Sequence, residues 1–162
     1  MKKIILIISM LSLSFSGAYV SYDLSVTANV EVSAYGYTIS DSEDYDSGAL
    51  TVGFERDFGN SMAAGISYDL VGLDYDGADE GDKFFNLYGK YFYPVNPSMK
   101  LWGSLGYGMP QGDLDDPDID GGLCYGVGLS MNNGVGFSYS LNNVELDGGT
   151  GTVSRLSLSY SF

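Results

Sequence analysis

Residues 155–162 read Arg155-Leu156-Ser157-Leu158-Ser159-Tyr160-Ser161-Phe162. Four bulky apolar side chains alternate with an arginine and three serines. A period of two is that of a β-strand, whose successive side chains point to opposite faces. One face of this strand is large and apolar, and the other is small and polar. The same division recurs upstream. Val135, Phe137, Tyr139 and Leu141 oppose Gly136, Ser138, Ser140 and Asn142. Leu123, Tyr125, Val127, Leu129 and Met131 oppose Gly122, Cys124, Gly126, Gly128 and Ser130. Met99, Leu101, Leu105, Tyr107 and Met109 oppose Lys100, Ser104, Gly106 and Gly108, with Trp102 an odd large residue on the polar face.

The first half of the chain carries four more such segments. Phe85, Leu87, Tyr91 and Tyr93 face away from Asn86, Tyr88 and Lys90. Met62, Ala64, Ile66, Tyr68 and Leu70 face away from Ser61, Ala63, Gly65, Ser67 and Asp69. Leu50, Val52, Phe54 and Phe58 oppose Thr51, Gly53, Glu55 and Asp57. Val26, Ala28, Val30, Val32 and Ala34 oppose Thr27, Asn29, Glu31 and Ser33. Alternation therefore predicts eight antiparallel strands, and helical periodicity is nearly absent.

The connections alternate as well. Gly59-Asn60, Pro94 to Ser98 and Asn132-Asn133-Gly134 have the composition of short turns. Between them lie four longer segments, Ser40–Ser47, Gly72–Lys83, Pro110–Gly121 and Asn143–Thr152, which hold 16 of the 21 acidic residues. Short turns on one rim and long loops on the other is the plan of an up-and-down transmembrane β-barrel. An even strand number places both ends of the barrel on the short-turn, periplasmic rim, and the acidic loops outside.

A soluble ligand-binding barrel of the lipocalin type also alternates, with its apolar face inward. Two features favour the opposite orientation. Eight strands enclose an interior just wide enough to fill with side chains, which suits Gly, Ser, Ala and Asn. Phe58, Tyr91, Tyr93, Tyr160 and Phe162 collect at the expected periplasmic strand ends, as an interfacial girdle does, and Tyr37, Tyr107 and Tyr125 suit the other interface.

The start of the chain reads as a secretory signal. Lys2 and Lys3 precede an apolar stretch, Ile4 to Leu13, and Ser16-Gly17-Ala18 offers small residues for cleavage. The stretch is short for a membrane anchor. Cleavage is expected after Ala18, so residues 1–18 form the signal and 19–162 the barrel domain. Removing 18 of 162 residues and both lysines leaves 144 residues and moves the net charge from -14 to -16. That acidity excludes nucleic acid as a partner, since phosphates are repelled. The single cysteine, Cys124, forms no internal disulfide and lies far from the cleavage site, so a lipidated N-terminus is not expected.

With the signal, the strand count, the rim asymmetry and the ending Leu156-x-Leu158-x-Tyr160-x-Phe162, the chain resembles the OmpA/OmpX-like small outer-membrane barrels, the opacity-protein type included. The resemblance covers all 144 expected mature residues and is architectural. It implies residence in the outer membrane of a Gram-negative-type bacterium, among its lipid and lipopolysaccharide. It implies insertion by the barrel assembly machinery, which reads a terminal aromatic strand, and a monomeric barrel. No peptidoglycan-binding domain of the kind some relatives carry is expected.

Candidate chemistry is sparse. The polar face holds Glu31, Glu55, Asp69, Lys90, Lys100 and Arg155. Buried charges must pair. Glu31 and Arg155, on the two strands that close the barrel, form the preferred pair, with Glu55 and Lys90 joining across the lumen. The third loop carries Asp116, Asp118, Asp120 and Gly121, the opening half of an EF-hand pattern. Its twelfth position is Val127 rather than Glu. A weak Ca²⁺ or Mg²⁺ site follows as an expectation, and no other cofactor is expected. The lipid A acylases and deacylases and the omptin proteases use histidine, which this chain lacks. Cys124 has no histidine to activate it. The function expected is therefore non-enzymatic: a barrel displaying acidic loops for envelope integrity, adhesion or cation-bridged surface contacts. A narrow channel for water or small ions is the alternative within the same fold.

Overall fold

The computed structural model describes residues 17–34, 37–45, 48–59, 61–73, 81–112 and 119–162. Within these residues the chain forms nine strands: β1 (Gly17–Ala34), β2 (Tyr37–Asp44), β3 (Leu50–Asp57), β4 (Met62–Val71), β5 (Asp82–Asn96), β6 (Met99–Gly112), β7 (Ile119–Met131), β8 (Val135–Leu146) and β9 (Gly149–Ser161). All pair antiparallel with their neighbours. β1 closes the sheet on β9, from Tyr19 opposite Ser161 to Val32 opposite Gly149.

The other edge of β1 pairs first with β3, over Gly17–Tyr22, and then with β2, over Thr27–Ala34. β2 and β3 are thus two pieces of one stave, and the wall has eight staves. The expected eight strands become nine because this stave is interrupted. At the break the ladder is replaced by Asp23, whose N–H donates to the Ala49 carbonyl (3.1 Å) and whose Oδ2 accepts from the Ala49 N–H (3.3 Å). Gly48 lies so close to this turn that a Cβ would stand 2.1 Å from the Asp23 carbonyl oxygen.

Followed round the wall, the pairing steps from Gly17 through Glu55, Gly65, Tyr88, Gly106, Cys124, Asn142 and Val153 to Ala28. The path returns to β1 eleven residues further on. Such a stagger requires strongly tilted strands, as closure of an eight-stranded barrel demands.

Three expectations change. First, β1 begins at Gly17, well before Val26, and the Phe162 N–H donates to the Ala18 carbonyl. Second, much of the expected loop sequence is strand. Ser40–Asp44 belongs to β2, and Asn143–Thr152 is a hairpin turning at Asp147-Gly148, with Gly148 at φ +77°. Asp82 and Lys83 open β5, while Pro110–Gly112 and 119–121 extend β6 and β7. In Ser40–Asp44 both faces are polar, so the alternation signal fades although backbone pairing continues. Third, β1 shifts register between Asp23 and Ser25. A one-residue shift exchanges the two faces. Val26, expected outside, is therefore buried inside, and Glu31 turns outward with Thr27 and stands exposed.

The alternation elsewhere resolves the orientation of the barrel. Along β7 the odd positions Leu123 and Val127 are about 60% exposed, while Gly122, Cys124 and Gly126 are buried. Leu87, Leu105 and Tyr139 also point outward, whereas Ser67, Asn142, Arg155 and Ser157 point inward and are buried. The apolar face is the outer one, opposite to a lipocalin-type barrel.

The Leu24 bulge fixes which half of β1 faces the lumen. Deleting Leu24 is expected to abolish the compact folded band on unheated gels, whereas Leu24→Ala is expected to keep it.

Candidate functional site in the barrel lumen

The lumen is organised as two charged layers and a cavity lined in part by small residues. The upper layer centres on Arg155 of β9. Its guanidinium NH2 donates to Asp69 Oδ2 at 2.8 Å, and its NH1 lies 3.5 Å from Asp23 Oδ2. All three residues are at most 4% exposed. Each carboxylate has further donors. Asp69 accepts from Thr51 Oγ1 (2.7 Å) and the Phe84 N–H (2.9 Å), and Asp23 accepts from Ser157 Oγ (2.6 Å). Charge-assisted bonds of this kind make burial tolerable. Arg155 Nε alone lacks a partner among the described residues.

Glu31 takes no part in this layer. Arg155 stands opposite Val26, and Glu31 stands opposite Thr150, five residues further up β1. At about 3.4 Å per residue, that is roughly 17 Å along the strand. The expected Glu31–Arg155 pair is therefore replaced by Arg155 with Asp69 and Asp23. Asp69 was visible on the polar face of its strand. Asp23 was not, because the alternation in β1 breaks at the bulge beside it.

Above Arg155 the interior becomes apolar. Val26, Ala49, Leu73, Phe84, Val144 and Val153 form a buried cluster, flanked by Tyr45, Ile119 and Leu146. Arg155 lies over the Phe84 ring at 5.1 Å, so the ionic layer and the apolar cap are in contact. The Tyr45 hydroxyl also donates to Asp82 at the start of β5, tying the cap to the wall.

The lower layer centres on Lys90, which pairs with Glu55. The Tyr88 hydroxyl lies 3.0 Å from both Glu55 Oε1 and the Tyr19 hydroxyl. Lys90 Nζ sits 4.2 Å from the Trp102 ring centre and within 5.7 Å of Tyr19, Tyr88 and Phe92. Trp102 is thus explained: it walls the lumen beside a cation. Three of these rings lie against a glycine directly across the ladder. Tyr19 covers Gly53, Tyr88 covers Gly65 and Trp102 covers Gly128, where a Cβ would meet the ring at 2.2–2.7 Å. Glycine provides the room that a filled eight-stranded lumen otherwise lacks.

The cavity is also lined by the small polar residues Ser67, Asn86, Ser104, Cys124, Ser138, Ser140 and Asn142. Asn142 donates to Asn86 across the lumen. Cys124 is a buried wall residue. The cavity holds about 600 Å³ and extends from the Arg155 layer to Gly59, Ser61, Asn132 and Gly134 of the short turns.

Of the expected cation ligands, Asp116 and Asp118 lie outside the described residues. Asp120 is an exposed residue of β7, directly opposite Glu145 of β8. Among the described residues no three His, Cys, Asp or Glu side chains are grouped as a metal site.

No protein-family model matches the chain, and no curated protein matches it. Solved structures similar to it include the attachment invasion locus protein Ail of Yersinia pestis, with 18% identity and a TM-score of 0.47 over 90% of this chain and 98% of that one. Neisserial surface protein A is similar at 11% identity and a TM-score of 0.43, over 90% and 97%. The outer membrane protein OprG of Pseudomonas aeruginosa is similar at 12% and 0.43, over 91% and 97%. The closed eight-stave wall described above rests on the chain's own hydrogen-bond register.

Arg155→Met leaves two carboxylates buried without their cation and is expected to cost about 3–5 kcal/mol in urea unfolding. Adding Asp23→Asn and Asp69→Asn is expected to recover part of that loss. Glu31→Gln, at an exposed site, is expected to stay within about 0.5 kcal/mol of wild type.

Proposed function

We propose that the chain is a non-enzymatic barrel of a Gram-negative-type outer membrane, whose closed wall carries an acidic, strand-built surface. The observation that supports this most is the outward apolar belt. Leu87, Leu105, Leu123 and Val127 are more than half exposed around a wall with polar contents. In water such a surface would aggregate; in lipid it is the solvated face. No helix among the described residues is long and apolar enough to cross a membrane. A closed barrel is the other structure that pairs every backbone group in lipid. Exposed Phe58, Tyr91, Tyr93 and Tyr160 stand at the short-turn end of the belt, as interfacial anchors do. The wall presents no free edge within the belt, which favours a monomer, and lipid and lipopolysaccharide are its immediate partners. Folding by the barrel assembly machinery fits a last strand ending in Tyr160 and Phe162.

The pairing of the lumen charges supports a non-enzymatic reading. Asp69 and Asp23 are committed to Arg155, and Glu55 to Lys90. The channel reading is less well supported than a sealed wall, because the Arg155 layer and the apolar cap fill the interior on the hairpin side.

Beyond the belt the surface is acidic and built from β-hairpins. Every residue of β2 is exposed, including Asp41, Glu43 and Asp44. Asp120 and Glu145 face one another across the β7–β8 ladder. Like charges placed directly opposite repel, and a divalent cation relieves that repulsion with oxygen ligands. Such bridging would serve envelope integrity, adhesion or contact with lipopolysaccharide phosphates.

The expressed chain is expected in the outer-membrane fraction with heat-modifiable gel mobility; recovery as a soluble periplasmic protein would overturn the reading. Leu123→Arg, on the lipid face, is expected to destabilise folding into vesicles by about 2–4 kcal/mol. Planar bilayers are expected to show no steady conductance. Calcium at millimolar levels is expected to raise the melting temperature of wild type, but not of Asp120→Asn/Glu145→Gln.

A further inference from the structure

We propose that the lower lumen is a binding pocket, entered from the short-turn rim, for a small uncharged polyhydroxyl molecule of sugar size. The pocket belongs to the fold and does not depend on where the barrel resides.

Its volume of about 600 Å³ lies in the range of small-molecule sites. It is blind. The roof is the Arg155–Asp69–Asp23 layer, and above it Phe84 and Leu73 are fully buried. The mouth is lined by turn residues, Gly59, Ser61, Asn132 and Gly134. A solute from the short-turn side therefore meets a closed end.

The charges deep in the chamber are paired, Lys90 with Glu55 and Arg155 with Asp69 and Asp23. Asp57 and Lys100 line the cavity at its exposed short-turn end, Lys100 over the Phe92 ring. An ionic ligand seated in the chamber would leave those charges behind at the mouth, and its desolvation would go uncompensated. The hydroxyls are different. Ser104, Ser138, Ser140 and Ser159 line the cavity and make no side-chain hydrogen bond to another described residue. Each offers one donor and two acceptor positions. They stand on β6, β8 and β9. Aromatic rings of Tyr19, Tyr88, Phe92 and Trp102 line the same cavity, Trp102 on β6 two residues from Ser104. Unpaired hydroxyls beside aromatic rings suit a molecule with polar edges and C–H faces. A sugar ring has both, and matches the donors and acceptors without bringing charge.

The chain contains a single tryptophan, Trp102, and it lies in this wall. Its emission therefore reports on the pocket alone. The experiment is titration of the full folded chain in detergent micelles with glucose, followed by Trp102 fluorescence and by calorimetry. Glucuronate and glucosamine serve as charged analogues of the same size. Glucose is expected to bind saturably in the millimolar range, with each charged analogue at least tenfold weaker. Ser140→Leu, which fills the chamber, is expected to weaken glucose binding at least tenfold while the compact gel band persists. Ser104→Val provides the same test with a smaller change should Ser140→Leu not fold. Absence of saturable glucose binding would overturn the proposal and leave a chamber holding water only. Equal binding of glucuronate or glucosamine would overturn the assignment to uncharged ligands. Unchanged binding in a folded serine variant would overturn the site.

Discussion

One strand is held along both edges, and the rest of the structure depends on it. β1 pairs with β9 over most of its length, and with β3 and then β2 on the other side. Closure removes the sheet edges, which is what allows an apolar face to point outward into lipid. The staggered return of the ladder to β1 requires one irregularity, and it falls at Leu24. There the faces of β1 exchange. Asp23 enters the lumen below the bulge to meet Arg155, and Val26 enters above it to join the apolar cap. A local backbone feature thus sets both the ionic layer and its roof.

The interior follows from the narrowness of an eight-stave wall. Room for the rings of Tyr19, Tyr88 and Trp102 exists because the residue opposite each is glycine, at Gly53, Gly65 and Gly128. Cations are buried only where carboxylates and rings surround them. The result is a barrel filled at the upper level, with a cavity below it that runs past the Lys90–Glu55 pair to the short turns. The upper filling joins β9, β4 and β1 through Arg155, Asp69 and Asp23, so it braces the wall across the closure. The lower pair, Lys90 and Glu55, joins β5 and β3. Function at the surface then belongs to the hairpins that continue beyond the belt, where β2 stays paired with β1 although every one of its residues is exposed.

The fold was largely legible in the sequence because the alternation between large and small residues is strong in β3 to β9. The orientation of the barrel could be argued from size alone: Gly and Ser fit inside, while Leu and Tyr do not. Glu55 and Lys90 were found because their strands are regular. Glu31 was misplaced because its segment, 26–34, was oriented by the rule that the apolar face is the outer one, whereas beyond the bulge the face of β1 that carries Val26 points into the apolar cap. Val26 was misplaced for the same reason. Asp23 went unread because it sits where the pattern breaks. Phe84 and Leu73 were missed because they lie at strand ends, where an apolar inward residue looks like the start of a loop. The strand character of Ser40–Asp44 was hidden because polar residues on both faces carry no alternation; 143–146 do alternate, with Val144 and Leu146 turned toward the apolar cap, but the stretch is short and runs into the Asp147-Gly148 turn.

The central claim is that the barrel is apolar outside and polar inside, and accessibility along one strand tests it most directly. In a Cys124→Ser background, nitroxide labels placed singly at 122 to 128 of β7 in lipid vesicles would report contact with oxygen, which partitions into lipid, and with a water-soluble nickel complex. Oxygen contact is expected to peak at 123, 125 and 127 and to fall at the even positions between them. Maxima at the even positions, or no alternation at all, would contradict the orientation on which the lumen, the belt and the surface all rest.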